Sequence, residues 1–306
     1  MLSVVLIVDY FGQWPEWFPI YLESCRANPT IHWSFHTDCD CDIPTPSNVE
    51  LRKISLTDYV QQVSTKLGVK FRPIDTYKLC DLRPAYGVLY EEEIRGFDFF
   101  GYTDIDLIYG DIRSFYTDDI LAKYDTFSTH PSILSGHLAL LRNTEDYRQA
   151  FRRIKEWRSF LEDGRSRRFD EDVFSRVFRH RLPWYRRPLL DPLDRVGVAF
   201  KCRRHFCEQY TTPLLPGPWI DGNPEHPTTW YWKDGKITNS QDAHREFIYF
   251  HFMNFKLARC LNPAYGSTPF WAGAETLVHL APEEIAGGVR IDRAGFHAVT
   301  PVSAIA

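Results

Sequence analysis

Two strongly apolar segments each run straight into acidic residues. Residues 3–8 read SVVLIV and meet Asp9, and residues 97–102 read FDFFGY and meet Thr103-Asp104-Ile105-Asp106. A strand without polar alternation is covered on both faces, which places it inside a sheet packed between other layers. The spacing of the neighbouring segments supplies those layers. Pro15 opens a predicted helix that reaches about Arg26. Ile31 to His36 alternates as a second strand that exits at Thr37-Asp38, and Val49 to Ile54 reads as a third. Ser55-Leu56-Thr57-Asp58 is a helix-cap signature ahead of Tyr59 to Leu67. Asp75 to Arg95 predicts a longer helix, broken at Pro84. This alternation predicts an α/β fold with an open, mostly parallel, Rossmann-like central sheet flanked by helices.

The second half is less regular. His137 to Leu141 reads as a strand, Glu145 to Leu161 and Asp170 to His180 as helices, and Val196 to Cys202 as a strand. Trp230 to Ile237 predicts a hairpin that turns on Asp234-Gly235. Glu246 to Phe252 is the last predicted strand, because the tail beyond Ala281 has weak periodicity.

Composition narrows the functional classes. With 44% hydrophobic and 25% charged residues, disorder is excluded as the main state. A net charge of −4 argues against nucleic acid as a partner. No run of about 18 apolar residues is present to span a bilayer, and the first apolar run is too short for a secretion signal. The seven cysteines are odd in number and irregularly spaced, which fits cytosolic thiols and a cytoplasmic location. Neither Cys39-x-Cys41 nor Cys202, His205 and Cys207 has the paired spacing of a structural zinc site. Residues 148–204 hold 17 Lys or Arg against 8 Asp or Glu. That segment is either an ion-paired surface or a basic patch for peripheral contact with an anionic membrane or a phosphate-bearing acceptor.

The chemistry concentrates in two places. Asp104 and Asp106 lie two residues apart, so on an extended chain their carboxylates face one side. Two hard oxygen donors there suit Mn²⁺ or Mg²⁺, which can share its remaining positions with a diphosphate. In open α/β sheets the ligand crevice lies beyond the carboxyl ends of the strands, where this pair falls. Alone, the same pattern also describes a polar strand exit. The second place is FIYFHFMNFK, residues 247–256. It delivers His251, an imidazole able to complete a metal site, and Lys256, an ammonium able to neutralise a diphosphate. Read alone, His251 is more often a satisfied core histidine than a ligand.

Taken together, these motifs resemble nucleotide-sugar glycosyltransferases of the GT-A fold. The early strand ending VDYFG resembles the nucleotide-binding first strand of that family, and TDID its D-x-D motif. The late His251 and Lys256 resemble the metal-binding histidine and phosphate-binding lysine of glycogenin-like transferases, although HFMNFK lacks the Gly after the His and the Pro-Trp after the Lys. The run from Thr76 to Asp111 is similar to uncharacterised bacterial proteins found among polysaccharide-synthesis enzymes. The resemblance covers roughly residues 1–255.

It implies a catalytic domain over 1–260, with a nucleotide-binding half at 1–110 and an acceptor half at 111–260, and a C-terminal extension over 261–306. It further implies a metal held by Asp104, Asp106 and His251, and a base and ribose pocket lined by Asp9, Tyr10 and Phe11 with Asp38 as a further contact. Lys78, Asp81 and Arg83 would grip the donor sugar or pyrophosphate, unless Lys78 and Asp81 form an intrahelical ion pair. Gly136 and His137 would lie against the donor sugar, and Gly136 would allow close approach. The acidic run Asp170-Glu171-Asp172 resembles the position of an acceptor-activating base, with Asp172 preferred to Asp170; helix capping is the alternative. The implied donor is a nucleotide sugar, UDP-linked by preference, and the implied acceptor is a hydroxyl of a glycan or glycolipid. Trp219, Trp230, Tyr231 and Trp232 are equally acceptor walls or core. Two other functions compete. A nucleotidyltransferase usually has a Gly-rich basic loop after the first strand, and VDYFGQWPEW offers one Gly and no Lys or Arg. A non-catalytic module binding glycans or anionic lipid would use the tryptophans and the basic segment instead.

Overall fold

The computed structural model describes residues 1–178, 202–242, 244–256 and 268–299. Its strands, in chain order, are β1 (Val4–Asp9), β2 (Ile31–Thr37), β3 (Val49–Lys53), β4 (Phe99–Thr103), β5 (Leu107–Tyr109), β6 (Thr126–Ser128) and β7 (Leu138–Arg142). They continue with β8 (Arg204–Phe206), β9 (Trp230–Lys233), β10 (Lys236–Asn239), β11 (Tyr249–His251), β12 (Val278–His279), β13 (Val289–Asp292) and β14 (Gly295–Ala298). Among the described residues, seven strands form the central sheet in the order β3-β2-β1-β4-β7-β6-β8. β7 pairs antiparallel with both of its neighbours, and every other pairing in the sheet is parallel. The fold is therefore the expected α/β class, an open, mostly parallel sheet flanked by helices.

The apolar first strand does what its composition requires. Val4, Leu6 and Val8 enter the core on one face of the sheet, and Val5 and Ile7 enter the core on the other. Helix α1 (Phe18–Arg26) packs on the first face. Helix α2 (Leu56–Leu67) packs on the second, capped at Ser55, whose side chain accepts the Asp58 N–H. Gly101 in β4 marks where three strands close up: a Cβ there would lie 2.1 Å from the Ala139 carbonyl oxygen of β7.

Several predicted helices are shorter than their periodicity implied. Thr76–Ala85 is a 3₁₀ segment that gives way to one α turn at Tyr86–Leu89, because Pro84 cannot extend an α-helix. Glu145 to Leu161 breaks into Glu145–Arg148, a 3₁₀ turn at Ala150–Arg153, and Trp157–Glu162. Asp170 to His180 becomes a π turn at Phe169–Val173 followed by a 3₁₀ turn at Phe174–Phe178; the predicted strand from Val196 lies outside the described residues up to 201.

The hairpin on Asp234-Gly235 forms as read, with φ of 50° and 73° at its two central residues. Glu246 to Phe252 is not the last strand. Three later strands, β12, β13 and β14, join β9 and β10 in a five-stranded sheet of order β10-β9-β13-β14-β12. Trp219, Trp230 and Trp232 are buried in the core around this sheet, so they are packing residues and not acceptor walls.

Candidate metal and donor site

The pair β5–β11 builds the site. β5 leaves the central sheet and pairs antiparallel with β11, with His251 opposite Leu107. One residue further on, the Phe252 N–H donates to the Asp106 carbonyl. This register sets His251 beside Asp106 across 145 residues of chain. The expected mechanism of convergence was an extended strand; the structure uses a bend. β4 ends at Thr103, and the chain turns through Ile105 and Asp106 before β5 begins. The Trp17 indole N–H pins that bend by donating to the Ile105 carbonyl at 2.9 Å.

One ligand atom from each of Asp104, Asp106 and His251 lies within 4.8 Å of the other two. Two carboxylate oxygens and one imidazole nitrogen at that spacing fit a single divalent cation. His251 is already oriented for it: Nδ1 lies 3.0 Å from Thr212 Oγ1, and Nε2 points to Asp106 Oδ1 at 3.3 Å. A hydrogen bond from Nδ1–H to the threonine oxygen leaves the Nε2 lone pair for a metal. His137 stacks on His251 with ring centroids 4.3 Å apart. Its own nitrogens are engaged by Tyr249 Oη at 2.5 Å and Ser135 Oγ at 2.9 Å. Burial, with the neighbouring His251, holds its pKa well below the ordinary histidine value. His137 thus supports a ligand from below and has no free nitrogen for a sugar hydroxyl.

Protein cations sit on both aspartates. Lys256 Nζ lies 2.6 Å from Asp106 Oδ2. Burial alone would raise the Asp106 carboxyl, but Lys256 and His251 pull it well below the usual carboxylate range. Arg83 is forked: Nη2 donates to Asp104, and Nη1 donates to Asp170 at 2.9 Å. Asp170 is buried, and burial lifts its carboxyl to about 7 against the opposing charge of Arg83. Asp172, the sequence's preferred base, has a half-exposed side chain paired with Arg168 at 3.0 Å. Of the acidic run, only Asp170 connects to the two-aspartate site.

The remaining predicted residues separate into those near the site and those that hold it up. Tyr10 is near it: its ring stacks on Trp14 with centroids 5.2 Å apart, and burial, Cys39 and Asp106 together raise its phenol. Phe11 packs on Tyr59 in the second core. Asp38 accepts the Gly12 N–H at 2.8 Å, tying the loop after β1 to the end of β2. Asp9 faces the protein interior. Its side chain is fully buried and accepts hydrogen bonds from the Tyr59 and Tyr90 hydroxyls, with His36 Nδ1 at 3.1 Å.

Lys78 and Asp81 form a fully buried ion pair at 2.8 Å. Lys78 also donates to the carbonyls of Phe160 and Arg165, and Asp81 accepts the N–H groups of Arg167 and Phe169. With those partners both are anchors of the turn that leads into Asp170. Gly136 does sit in a close approach: a Cβ would lie 2.7 Å from Glu171 Oε1 and 3.2 Å from Arg83 Nη1. In the basic segment, Arg148, Arg153, Arg167, Arg168 and Arg203 pair with carboxylates of the protein. Sequence reasoning did not find Thr212, Tyr249 or Trp17 as parts of the site. Thr212 lies in an irregular loop with no motif, while the other two read only as apolar positions.

A model of a family of unknown function, DUF6625, matches residues 6–275. The chain belongs to that family. No curated protein matches it in sequence. Among solved structures, DUF6625's member here is similar to the galactosyltransferase LgtC in complex with donor and acceptor sugar analogues. That likeness has 13% identity and a TM-score of 0.32, over 66% of this chain and 87% of that one. Mouse xyloside xylosyltransferase 1 is similar at 11% identity and a TM-score of 0.29, over 53% of this chain and 79% of that one. The glycosyltransferase GlyE of Streptococcus pneumoniae TIGR4 is similar at 14% identity and a TM-score of 0.25, over 54% and 45%. At these values the likenesses assign this DUF6625 chain no chemistry; its own residues must carry the reading.

Proposed function

We propose that this DUF6625 protein is a metal-dependent glycosyltransferase that moves a sugar from a nucleotide sugar, UDP-linked by preference, to a hydroxyl of a glycan or glycolipid. One observation carries the reading: Asp104, Asp106 and His251 converge at the carboxyl ends of the parallel strands, with Lys256 and Arg83 alongside. When bound there, Mn²⁺ or Mg²⁺ supplies neutralisation of the charge that develops on a departing nucleoside diphosphate. The chain's residues do the rest. Lys256 and the forked Arg83 add positive charge for the diphosphate. Tyr10, stacked on Trp14 within electrostatic reach of Asp106, offers an aromatic wall to the nucleoside. Asp170 takes the proton of the acceptor hydroxyl, its raised pKa suiting a base that works near neutrality. The sugar's anomeric carbon gains the bond to the acceptor oxygen as it loses the bond to the diphosphate oxygen.

The polysaccharide-synthesis context follows from the resemblance of the Thr76 to Asp111 run. Among the described residues no helix is long and apolar enough to cross a membrane. Among the described residues, peripheral attachment through 148–204 would rest on exposed cations such as Arg165, for which no ion pair is seen. A panel of nucleotide sugars, each with and without Mn²⁺, tests the function through thermal stabilisation and release of nucleoside diphosphate. Metal-dependent stabilisation by one of them is the expected result. Binding to glycans or anionic vesicles alone, with no response to any nucleotide sugar, overturns it.

A further inference from the structure

Both carboxylates of the candidate metal site already carry a cation of the protein, and the two cations are held differently. Arg83 is fixed, because its second arm is committed to the buried Asp170. Lys256 has Asp106 as its one hydrogen-bonding partner among the described residues. Its side chain is 28% exposed. Among the described residues its ammonium otherwise meets aromatic faces, 5.2 Å from the centre of the Trp17 ring and 5.6 Å from that of Phe252. Those two rings lie together, with centroids 5.2 Å apart, and keep the ammonium in cation–π contact when it lets go of Asp106. With the ammonium 2.6 Å from Oδ2 and Oδ1 turned to His251, a divalent cation on Asp106 would meet the repulsion of the ammonium across one carboxylate, so each weakens the hold of the other.

We infer that Lys256 is an internal counter-ion that competes with the metal for Asp106 and is released to the nucleoside diphosphate, so that metal and diphosphate bind as one unit. This rests on the glycosyltransferase reading above. Once displaced, Lys256 leaves the site with a surplus of positive charge. A nucleoside diphosphate supplies the balancing anion, and a free metal ion does not. By linkage, each of the two must then raise the affinity for the other by the same factor.

The test measures Mn²⁺ binding by electron paramagnetic resonance on the full chain, with and without UDP, for the wild type, Lys256→Met and Lys256→Arg. In the wild type UDP should tighten Mn²⁺ binding about tenfold or more, within the usual range of coupling. Lys256→Met should bind free Mn²⁺ about tenfold more tightly than the wild type and lose most of the UDP effect, while Lys256→Arg should behave as the wild type. A lysine that only contacts phosphate would leave the affinity for free Mn²⁺ unchanged. That result, or a weaker affinity in a folded Lys256→Met, overturns the inference while the metal site stands. Lys256→Gln carries the same expectation and replaces the methionine variant if that one fails to fold. A wild type that binds no Mn²⁺ with or without UDP overturns the metal reading itself.

Discussion

At the residue scale, the two aspartates that look alike in the sequence have different neighbours. Asp106 is gripped by His251 and Lys256, and Asp104 by the fork of Arg83. Asp106→Asn keeps the size but removes a ligand charge. We expect it to stay folded and lose about 100- to 1,000-fold in turnover, with Mn²⁺ binding abolished by calorimetry. The acidic run offers a sharper test. Asp170→Asn should lose at least about 100-fold in turnover, whereas Asp172→Asn should stay within about twofold, as befits a surface position. With Asp170 raised to about 7, turnover should rise with pH through that value as the base form accumulates. A flat profile between pH 6 and 8 would remove Asp170 from the role. Thr212→Val deletes the partner of His251 Nδ1 and preserves shape. An orienting bond of this kind is worth about 10- to 100-fold in metal affinity, and titration with Mn²⁺ would read it.

At the scale of elements, close backbone approach explains which positions tolerate change. Gly101 lies in β4 between β1 and β7, where a Cβ would also come 2.7 Å from Leu140 Cδ2 and 3.1 Å from Leu6 Cδ2. The first obstacle is a backbone carbonyl, which cannot rotate away. Gly101→Ala should cost about 1–3 kcal/mol or more through overpacking, read from the urea midpoint, and should disturb the strand that ends at the metal site. The periodicity of Glu145 to Leu161 predicted one helix and the chain makes three short pieces. Local spacing set Tyr147, Phe151, Ile154, Trp157 and Leu161 on one side; four of them are buried and Ile154 is partly buried against the same core. It was silent about where the backbone breaks, because that is set by what the buried side chains meet. The tail shows the converse. β13 and β14 are four residues each and weakly patterned, and they become strands by pairing with one another and with β9.

At the scale of the whole molecule, a buried ionic network joins the first two strands to the segment before β4. His36 lies between Asp9 at 3.1 Å and Glu93 at 3.0 Å and stacks on Tyr90. Burial pulls the imidazole down, but the hydrogen bonds and charges of Asp9 and Glu93 prevail and raise it to about 9. The folded state therefore holds a proton that the unfolded chain, with its ordinary value of 6.5, gives up sooner. The stabilisation is complete below about 6.5 and is lost as pH rises through about 9, with an upper bound of about 3 kcal/mol. Denaturant midpoints at pH 6.5 and 9.5 should differ for the wild type, and His36→Gln should be less stable at pH 6.5 with that difference reduced. Equal pH sensitivity in both proteins would place the effect elsewhere.

The sequence by itself determined the layers and the reactive atoms. Apolar runs without alternation are interior strands, and the acidic pair that follows the second of them falls at the crevice end of the sheet, so the sheet and the Asp104, Asp106 and His251 set were legible from residue type and order. Tertiary structure alone decided which charges are spent. Asp9, Lys78 and Asp81 looked like ligand contacts and are buried in internal hydrogen bonds, while Asp170 stands in the connected position that Asp172 was expected to hold. The reason is that hydrogen-bond satisfaction and desolvation depend on partners far apart in the chain, and a one-dimensional pattern carries no record of those distances.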